Sequence, residues 1–359
     1  MPLRKALQGV EPYRPQPPMR QLQAELGLDR IVKLASNEGP FGPLPAAVAA
    51  FEASTHELNR YPDAGGTRLR EALALRYEVP VEQIVLGNGA DELIRFLALA
   101  TLDPGARAVY PWPSFQSYPT AVAAAAGEGH AVPLRDRAFD LDGLLAAAVG
   151  AKLVYLANPN NPTGTLVARD DISRFAADLP PGALLVLDEA YAEYAEDEPN
   201  GIELVRAGHE CICVLRTFSK VYGLAALRIG YAIASPQIAD ALNRVRPIFN
   251  VNQPAQEAAL ASLHETEAVR RRIAHTRVAR EELHDTLASA GLDPIRSHAN
   301  FVYADVPGGD GDGLADRLLH AGFIVRALRA FGASGAIRVT VGTDDEMRLF
   351  AEALKSLVQ

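Results

Sequence analysis

The chain has 359 residues, of which 48% are apolar and 22% charged, with a formal net charge of −9. That composition supplies a sizeable core, excludes a disordered chain, and leaves room for one large or two ordinary domains. The acidic balance argues against nucleic acid or an anionic membrane as the main partner.

The opening MPLRKALQGVEP has no long apolar region, and no stretch approaches the ~20 apolar residues of a membrane helix. A cytoplasmic protein is expected. Five prolines among residues 1–18 suggest an extended, docked arm, which carries Tyr13. IVKLASNEGPFGPLP reads as a strand and then a Pro/Gly loop containing Asn37 and Gly39. A short helix and the run LNRYPD, with Tyr61, follow.

From Arg68 helix and strand alternate. RLREALALRYEV is helical, QIVLGN a short strand, and ADELIRFLALATL a helix ended by Asp103-Pro104-Gly105. A strand over Arg107 to Trp112, an alanine-rich helix and a strand ending near Leu134 come next. They are followed by a helix over Leu141 to Val149, strand KLVYLANP, a helix after Arg169, strand ALLVLDEAY and the apolar run Cys211 to Leu215. Such alternation predicts a mostly parallel sheet with helices on both faces, and places function at the carboxyl ends of its strands. Cys211 and Cys213 read as buried, inert thiols on one strand face.

A helix after Pro236 runs toward Arg246, Phe249 to Asn252 break the pattern, and a long helical region extends from Gln256 to about Ala290. Its charges, among them Arg270 to Arg272, Arg277 and Arg280, read as one solvated face. Strands at FVYADV, FIVRAL and AIRVTVG, with helices between them, complete a smaller α+β unit. The GGDGDG loop lacks the calcium-loop pattern and reads as a turn. His56-Glu57 lacks a second histidine, so no metal is expected.

The polar motifs fall at the predicted strand ends. GNGADE, Gly87 to Glu92, is either a structural turn or a loop whose amides approach a phosphate at a helix N-terminus. Glu92 stands where a GxGxxG fingerprint has its third glycine, which disfavours a nicotinamide dehydrogenase. In PWPSFQSY, Phe115 is a core aromatic or a ring that stacks on a flat ligand. In NPNNPTG the amide of Asn161 can donate from a rigid turn. Asp188 follows five apolar residues, Ala183 to Leu187, and a buried carboxylate there needs a partner. A pyridinium N–H is one such partner, and Tyr191 could reach a neighbouring ring hydroxyl.

The run RTFSKVYGLAALRIGY holds Ser219, Lys220 and, eight residues on, Arg228. A lysine nucleophile needs desolvation or nearby cations, since only the neutral amine attacks a carbonyl. A hydroxyl and a guanidinium beside it suit a phosphate. The order suggests an aldehyde cofactor that carries a phosphate. Arg338, within an apolar strand, needs an anion partner from the protein or from a substrate, and Arg326 in IVRAL is a second cation.

From about Tyr13 to Thr343 the chain resembles the fold-type I pyridoxal-phosphate enzymes, with its nearest likeness to the histidinol-phosphate aminotransferases. The resemblance implies a mostly parallel seven-stranded-type sheet flanked by helices, with a smaller α+β C-terminal domain. It divides the chain into an arm (1–35) packing with the small domain and a dimer partner, a cofactor domain (36–250) and a small domain (251–359). It implies pyridoxal 5'-phosphate on Lys220, with its phosphate held by Ser219, Arg228 and the amides of Ala90 and Asp91. Phe115 would stack on the ring, Asp188 would hold the ring nitrogen, and Asn161 and Tyr191 the ring hydroxyl. Tyr61 would reach the phosphate from the other subunit of a homodimer. Tyr13, Asn37, Arg326 and Arg338 would meet the substrate. The chain departs from the family at Gly39, where asparagine is usual, and at Ala90, Phe115 and Ala226. The implied reaction converts histidinol phosphate and 2-oxoglutarate to imidazole-acetol phosphate and glutamate. The alternatives are an aromatic amino-acid aminotransferase and a phosphothreonine-type decarboxylase on the same scaffold.

Overall fold

The structure, a computed structural model, describes residues 5–7, 10, 17–197, 199 and 201–358. Tyr13 lies outside the described residues. After β1 (Val32–Lys33) come the seven strands of the central sheet: β2 (Ile84–Gly87), β3 (Arg107–Trp112), β4 (Glu128–Pro133), β5 (Leu153–Ala157), β6 (Leu184–Asp188), β7 (Ile212–Thr217) and β8 (Gly230–Ala234). Their spatial order is β2-β8-β7-β6-β5-β3-β4. Neighbours from β7 to β4 pair in parallel, whereas β8 is antiparallel to both β7 and β2.

The apolar runs of β5 to β8 become strands buried on both faces, because helices cover the sheet on either side. Successive side chains alternate between the two layers. Val154, Leu156, Leu185, Leu187 and Val214 pack with Ile172 and Phe175 of helix Arg169–Ala177 and with helix Gln253–Ser262. Leu153, Tyr155, Val186, Cys213 and Leu215 face the layer of helices Ala90–Thr101, Ser117–Ala124 and Pro236–Val245.

The remaining strands are β9 (Asp293–Pro294), β10 (Phe301–Asp305), β11 (Phe323–Ile324), β12 (Arg326–Ala327) and β13 (Ala336–Thr340). An antiparallel sheet β12-β13-β10-β9 packs Val302, Ile337 and Val339 against Leu283 and Leu287 of helix Thr266–Ser289 and Phe350 of helix Asp344–Val358. β1 pairs in parallel with β11, so the segment before Asn37 joins this smaller layer. No helix among the described residues is long and apolar enough to cross a membrane.

Several local expectations change. Cys211 is exposed, because it precedes β7, and only Cys213 is buried. The helical region after Gln256 is two helices broken at Leu263 to Glu265. Its arginines do not form one solvated face. Arg280 is buried and donates to the carbonyls of Tyr194 and Ala299, while Arg272 donates to Val221 and Gly42 and Arg277 to Ala195. FIVRAL divides at Val325 between two sheets. Half of the GGDGDG loop starts helix Gly311–His320, where Asp310 accepts the amide of Gly313.

Candidate active site

The predicted motifs converge on one edge of the central sheet. The carboxyl ends of β2, β3, β5, β6 and β7 lead directly into Gly89–Ala90, Phe115, Asn161, Asp188 and Ser219–Lys220. Reversal of β8 brings its amino end to the same edge, where Gly230 pairs with both Gly87 and Thr217. Arg228 therefore reaches the site through an antiparallel strand.

Lys220 is half-buried, and its Nζ lies 5.3 Å from the centroid of the Tyr191 ring. Burial first, then the Arg338 and Arg228 guanidiniums, lower its amine to about 8 against the opposing pull of Glu38 and Asp188. A substantial neutral fraction near neutral pH is what a carbonyl-reactive lysine requires.

Asp188 is buried at the tip of β6, and burial raises its carboxyl to about 6 despite two hydrogen bonds that pull the other way. Tyr118 donates to its Oδ2 at 2.8 Å and the Ala190 amide to its Oδ1 at 3.2 Å. The Tyr118 ring stacks on Tyr155, with centroids 4.7 Å apart and planes 6° from parallel, and meets Phe115 edge-on at 5.8 Å. The Tyr155 hydroxyl is itself tied to the Ile94 carbonyl. Tyr118 is a site residue the sequence reading missed, since nothing in SFQSY separates it from an ordinary helix tyrosine.

A cradle for an anion is built mainly of backbone. Gly89 has φ +78°, and a Cβ there would stand 2.5 Å from Arg228 Nη2. A Cβ on Gly230 would stand 2.6 Å from the Ala90 amide nitrogen. Two glycines thus let the first amide of helix Ala90–Thr101 and the exposed Arg228 side chain approach one spot, with the helix dipole adding to the positive field. Glu92, in the place of a third glycine, accepts the Asn88 amide at 2.7 Å and Asn250 Nδ2 at 2.6 Å, which fixes the loop. Ser219 is buried and takes a hydrogen bond from Thr217 Oγ1 at 3.0 Å. The Asp91 carboxylate is engaged by Ser117 and Arg95.

The smaller unit closes the other end. Asn37, with φ 55°, donates through Nδ2 to the Tyr191 hydroxyl at 2.9 Å and through its amide to Thr340 Oγ1 at 3.0 Å. Asn300 Nδ2 donates to the Asn37 carbonyl at 3.1 Å. Arg338 was expected to need an anion. Its partners are neutral: it donates to Asn161 Oδ1 and, at 2.7 Å, to the Ala35 carbonyl. Burial and neighbouring Arg326 lower its guanidinium to about 10. The Nε atoms of both Arg326 and Arg338 are buried without a partner. Arg326 and Arg338 sit opposite each other across β12 and β13. Gly39 packs on Lys220, and a Cβ there would be 3.0 Å from the Lys220 carbonyl oxygen. Tyr61 lies on the surface, 82% exposed, with its ring stacked on Phe249 at 4.5 Å.

These residues fit the cofactor implied by the resemblance. They offer an amine of lowered basicity, a carboxyl at the foot of the site, an amide-and-guanidinium cradle, the Tyr191 phenol held by the Asn37 amide, and an aromatic ring. Asn161 Oδ1 is taken by Arg338, which leaves Nδ2 as the donor this side chain can offer a ligand.

Comparison with known proteins agrees. Residues 29–354 match the model of the family described as aminotransferase class I and II. Histidinol-phosphate aminotransferase 2 of Pseudomonas aeruginosa is 44% identical over 97% of this chain and 95% of its own length. Histidinol-phosphate aminotransferase 2 of Carboxydothermus hydrogenoformans is 42% identical over 99% of both. The crystal structure of histidinol-phosphate aminotransferase from Sinorhizobium meliloti in complex with pyridoxal-5'-phosphate superposes with a TM-score of 0.91, at 30% identity over 99% of this chain and 97% of that one. A lysine and an aspartate at the strand ends, a glycine-lined cradle and full-length likeness lead to one assignment: the chain belongs to the aminotransferase class I and II family.

Proposed function

We propose that this protein transfers the amino group of histidinol phosphate to 2-oxoglutarate, with pyridoxal 5'-phosphate carried on Lys220. The observation that carries this substrate choice is the pair Arg326 and Arg338, opposed across two strands with both Nε atoms buried and unpartnered. Two guanidinium groups can grip a phosphate, or in turn the distal carboxylate of a 2-oxo acid. The extended likeness to enzymes named for histidinol phosphate supports the same choice.

When bound, pyridoxal phosphate supplies an electron-accepting ring that stabilises the charge left when the donor's α-carbon loses its proton. Asp188 would accept the ring N–H and keep it protonated, with Tyr118 and the Ala190 amide holding its carboxylate. Asn161 and Tyr191 would hold the ring oxygen. Arg228, Ser219 and the amides of Ala90 and Asp91 would hold the phosphate, and Phe115 would offer its ring to the cofactor. Lys220, with its amine near 8, takes the α-proton as general base and returns a proton to the receiving carbon as general acid. Across both halves the donor exchanges its amino group and α-hydrogen for the acceptor's oxo oxygen. Asn37 completes the substrate pocket.

For assembly, Tyr61, Leu58, Ile248 and Phe249 put apolar side chains on one exposed surface, which suits a homodimer in which Tyr61 serves the neighbouring site. A cytoplasmic location fits such a biosynthetic role. For the division of the chain we take 1–35 as an arm, 36–250 as the cofactor domain and 251–359 as the small domain, whose first helix lies on the larger core.

The test is a donor panel with purified holoenzyme and 2-oxoglutarate, read by glutamate formation. Histidinol phosphate is expected to exceed phenylalanine in kcat/KM by at least about 100-fold, which two charge-assisted contacts can supply. A preference for phenylalanine would transfer the reading to the aromatic aminotransferases, and carbon dioxide release to the decarboxylases.

A further inference from the structure

We infer that Phe331 is a positioning residue for the anion end of the substrate, its ring holding the guanidinium groups of Arg326 and Arg338 together in one place. The inference rests on the proposed function for the identity of the anion, and on geometry for the rest. Phe331 is buried, and its ring centroid lies 5.8 Å from Arg326 Cζ and 5.7 Å from Arg338 Cζ. The two arginines are directly opposed on neighbouring strands, an arrangement that sets like charges against each other. Among the described residues no carboxylate pairs with either. The negative face of an aromatic ring offsets part of that repulsion without consuming an N–H donor. The donors stay available: both Nε atoms are buried and unpartnered.

The ring is braced from the larger unit. Phe331 belongs to the single turn Arg329–Phe331, which ends at Gly332 with φ +81°. Gly332 is pressed against Trp112 so closely that a Cβ would run into the indole nitrogen. Gln116 Nε2 donates to the Ala330 carbonyl at 2.7 Å. Trp112 ends β3, and Gln116 follows Phe115, so the segment that offers a ring to the cofactor also seats the turn that orders the two arginines.

Phe331→Leu removes the ring and keeps an apolar side chain; Phe331→Tyr keeps the ring. In holoenzyme, Phe331→Leu is expected to raise KM for histidinol phosphate about tenfold, to leave kcat within about twofold, and to leave kcat/KM for unphosphorylated histidinol unchanged. The dissociation constant of inorganic phosphate, measured by calorimetry, should rise in parallel, and Phe331→Tyr should restore both. Phe331→Met replaces Phe331→Leu should the latter not fold. An unchanged phosphate affinity in the folded variant overturns the inference, as does an equal loss with both donors. If the parent enzyme ignores histidinol phosphate, the proposed function fails. The phosphate titration then still decides the role of Phe331.

Discussion

Tyr118 and Asp188 are joined by a 2.8 Å hydrogen bond in the buried floor of the site, and the tyrosine is clamped there by its stack on Tyr155. The phenol lowers the basicity of a carboxyl that burial has raised to about 6. Tyr118→Phe keeps the stack and deletes the donor. Loss of a hydrogen bond to a charged group costs about 1.5–3 kcal/mol, so kcat/KM should fall at least about tenfold. The acidic limb of the pH profile for cofactor binding should move to higher pH. A profile that coincides with the parent's excludes this role.

Lys220 leads to a second expectation. Its amine is lowered to about 8, so the neutral fraction at pH 7.5 is about one quarter. Labelling of the apoprotein by pyridoxal phosphate and borohydride should rise with a midpoint near pH 8 and level off above about 9. Lys220→Ala should abolish both labelling and turnover. Arg338→Ala removes the strongest charge acting against protonation of Lys220, and the midpoint should then shift upward. Labelling that continues to rise toward pH 10 contradicts the lowered amine.

Asp188 makes the apoprotein's stability depend on pH in a defined direction. Its carboxyl goes from 3.8 when unfolded to about 6 when folded, so the fold favours the protonated form. Its contribution is fully present below about pH 4 and is lost as pH rises through about 6. Asp188→Asn should therefore stabilise the apoprotein at pH 8 by up to about 3 kcal/mol, with no difference near pH 4. In holoenzyme the same change weakens cofactor binding. Urea titrations of both apoproteins at the two pH values check the sign, and a variant less stable at pH 8 refutes it.

Gly39 stands where asparagine is usual in the resembled family, and here it packs on the backbone of Lys220. A Cβ would sit 3.0 Å from the Lys220 carbonyl oxygen, tighter than ordinary contact. Gly39→Asn should cost about 1–3 kcal/mol through overpacking and slow turnover by displacing Lys220. A thermal midpoint and kcat equal to the parent's would show that the lysine backbone yields freely.

What was legible in the sequence follows from which signals are local. β5 to β7 were readable because strands covered on both faces must be apolar throughout, and the polar residue ending each run marks the sheet edge. The placement of Asn161, Asp188 and Ser219–Lys220 at the ends of those strands followed from position. Tyr118 was hidden, because a hydroxyl that supports a carboxylate 70 residues away has no local pattern. The arginines of helix Thr266–Ser289 misled for a similar reason: Arg280 finds distant carbonyls, and charge alone does not disclose a buried cation. Arg338 was legible as a cation in an apolar strand, but its protein partners, an amide 177 positions away and a carbonyl 303 away, were not.

Asn37 meets Thr340, and Ala35 meets Arg338, each across 303 positions of chain. During synthesis from the amino terminus, Lys220, Asp188 and the glycine cradle all emerge before Arg338 exists. The groups proposed to hold the cofactor are therefore all made before the arginine proposed to select the substrate. The last strand to leave the ribosome, β13, ties the earliest loop of the site into place and brings the proposed anion grip to it.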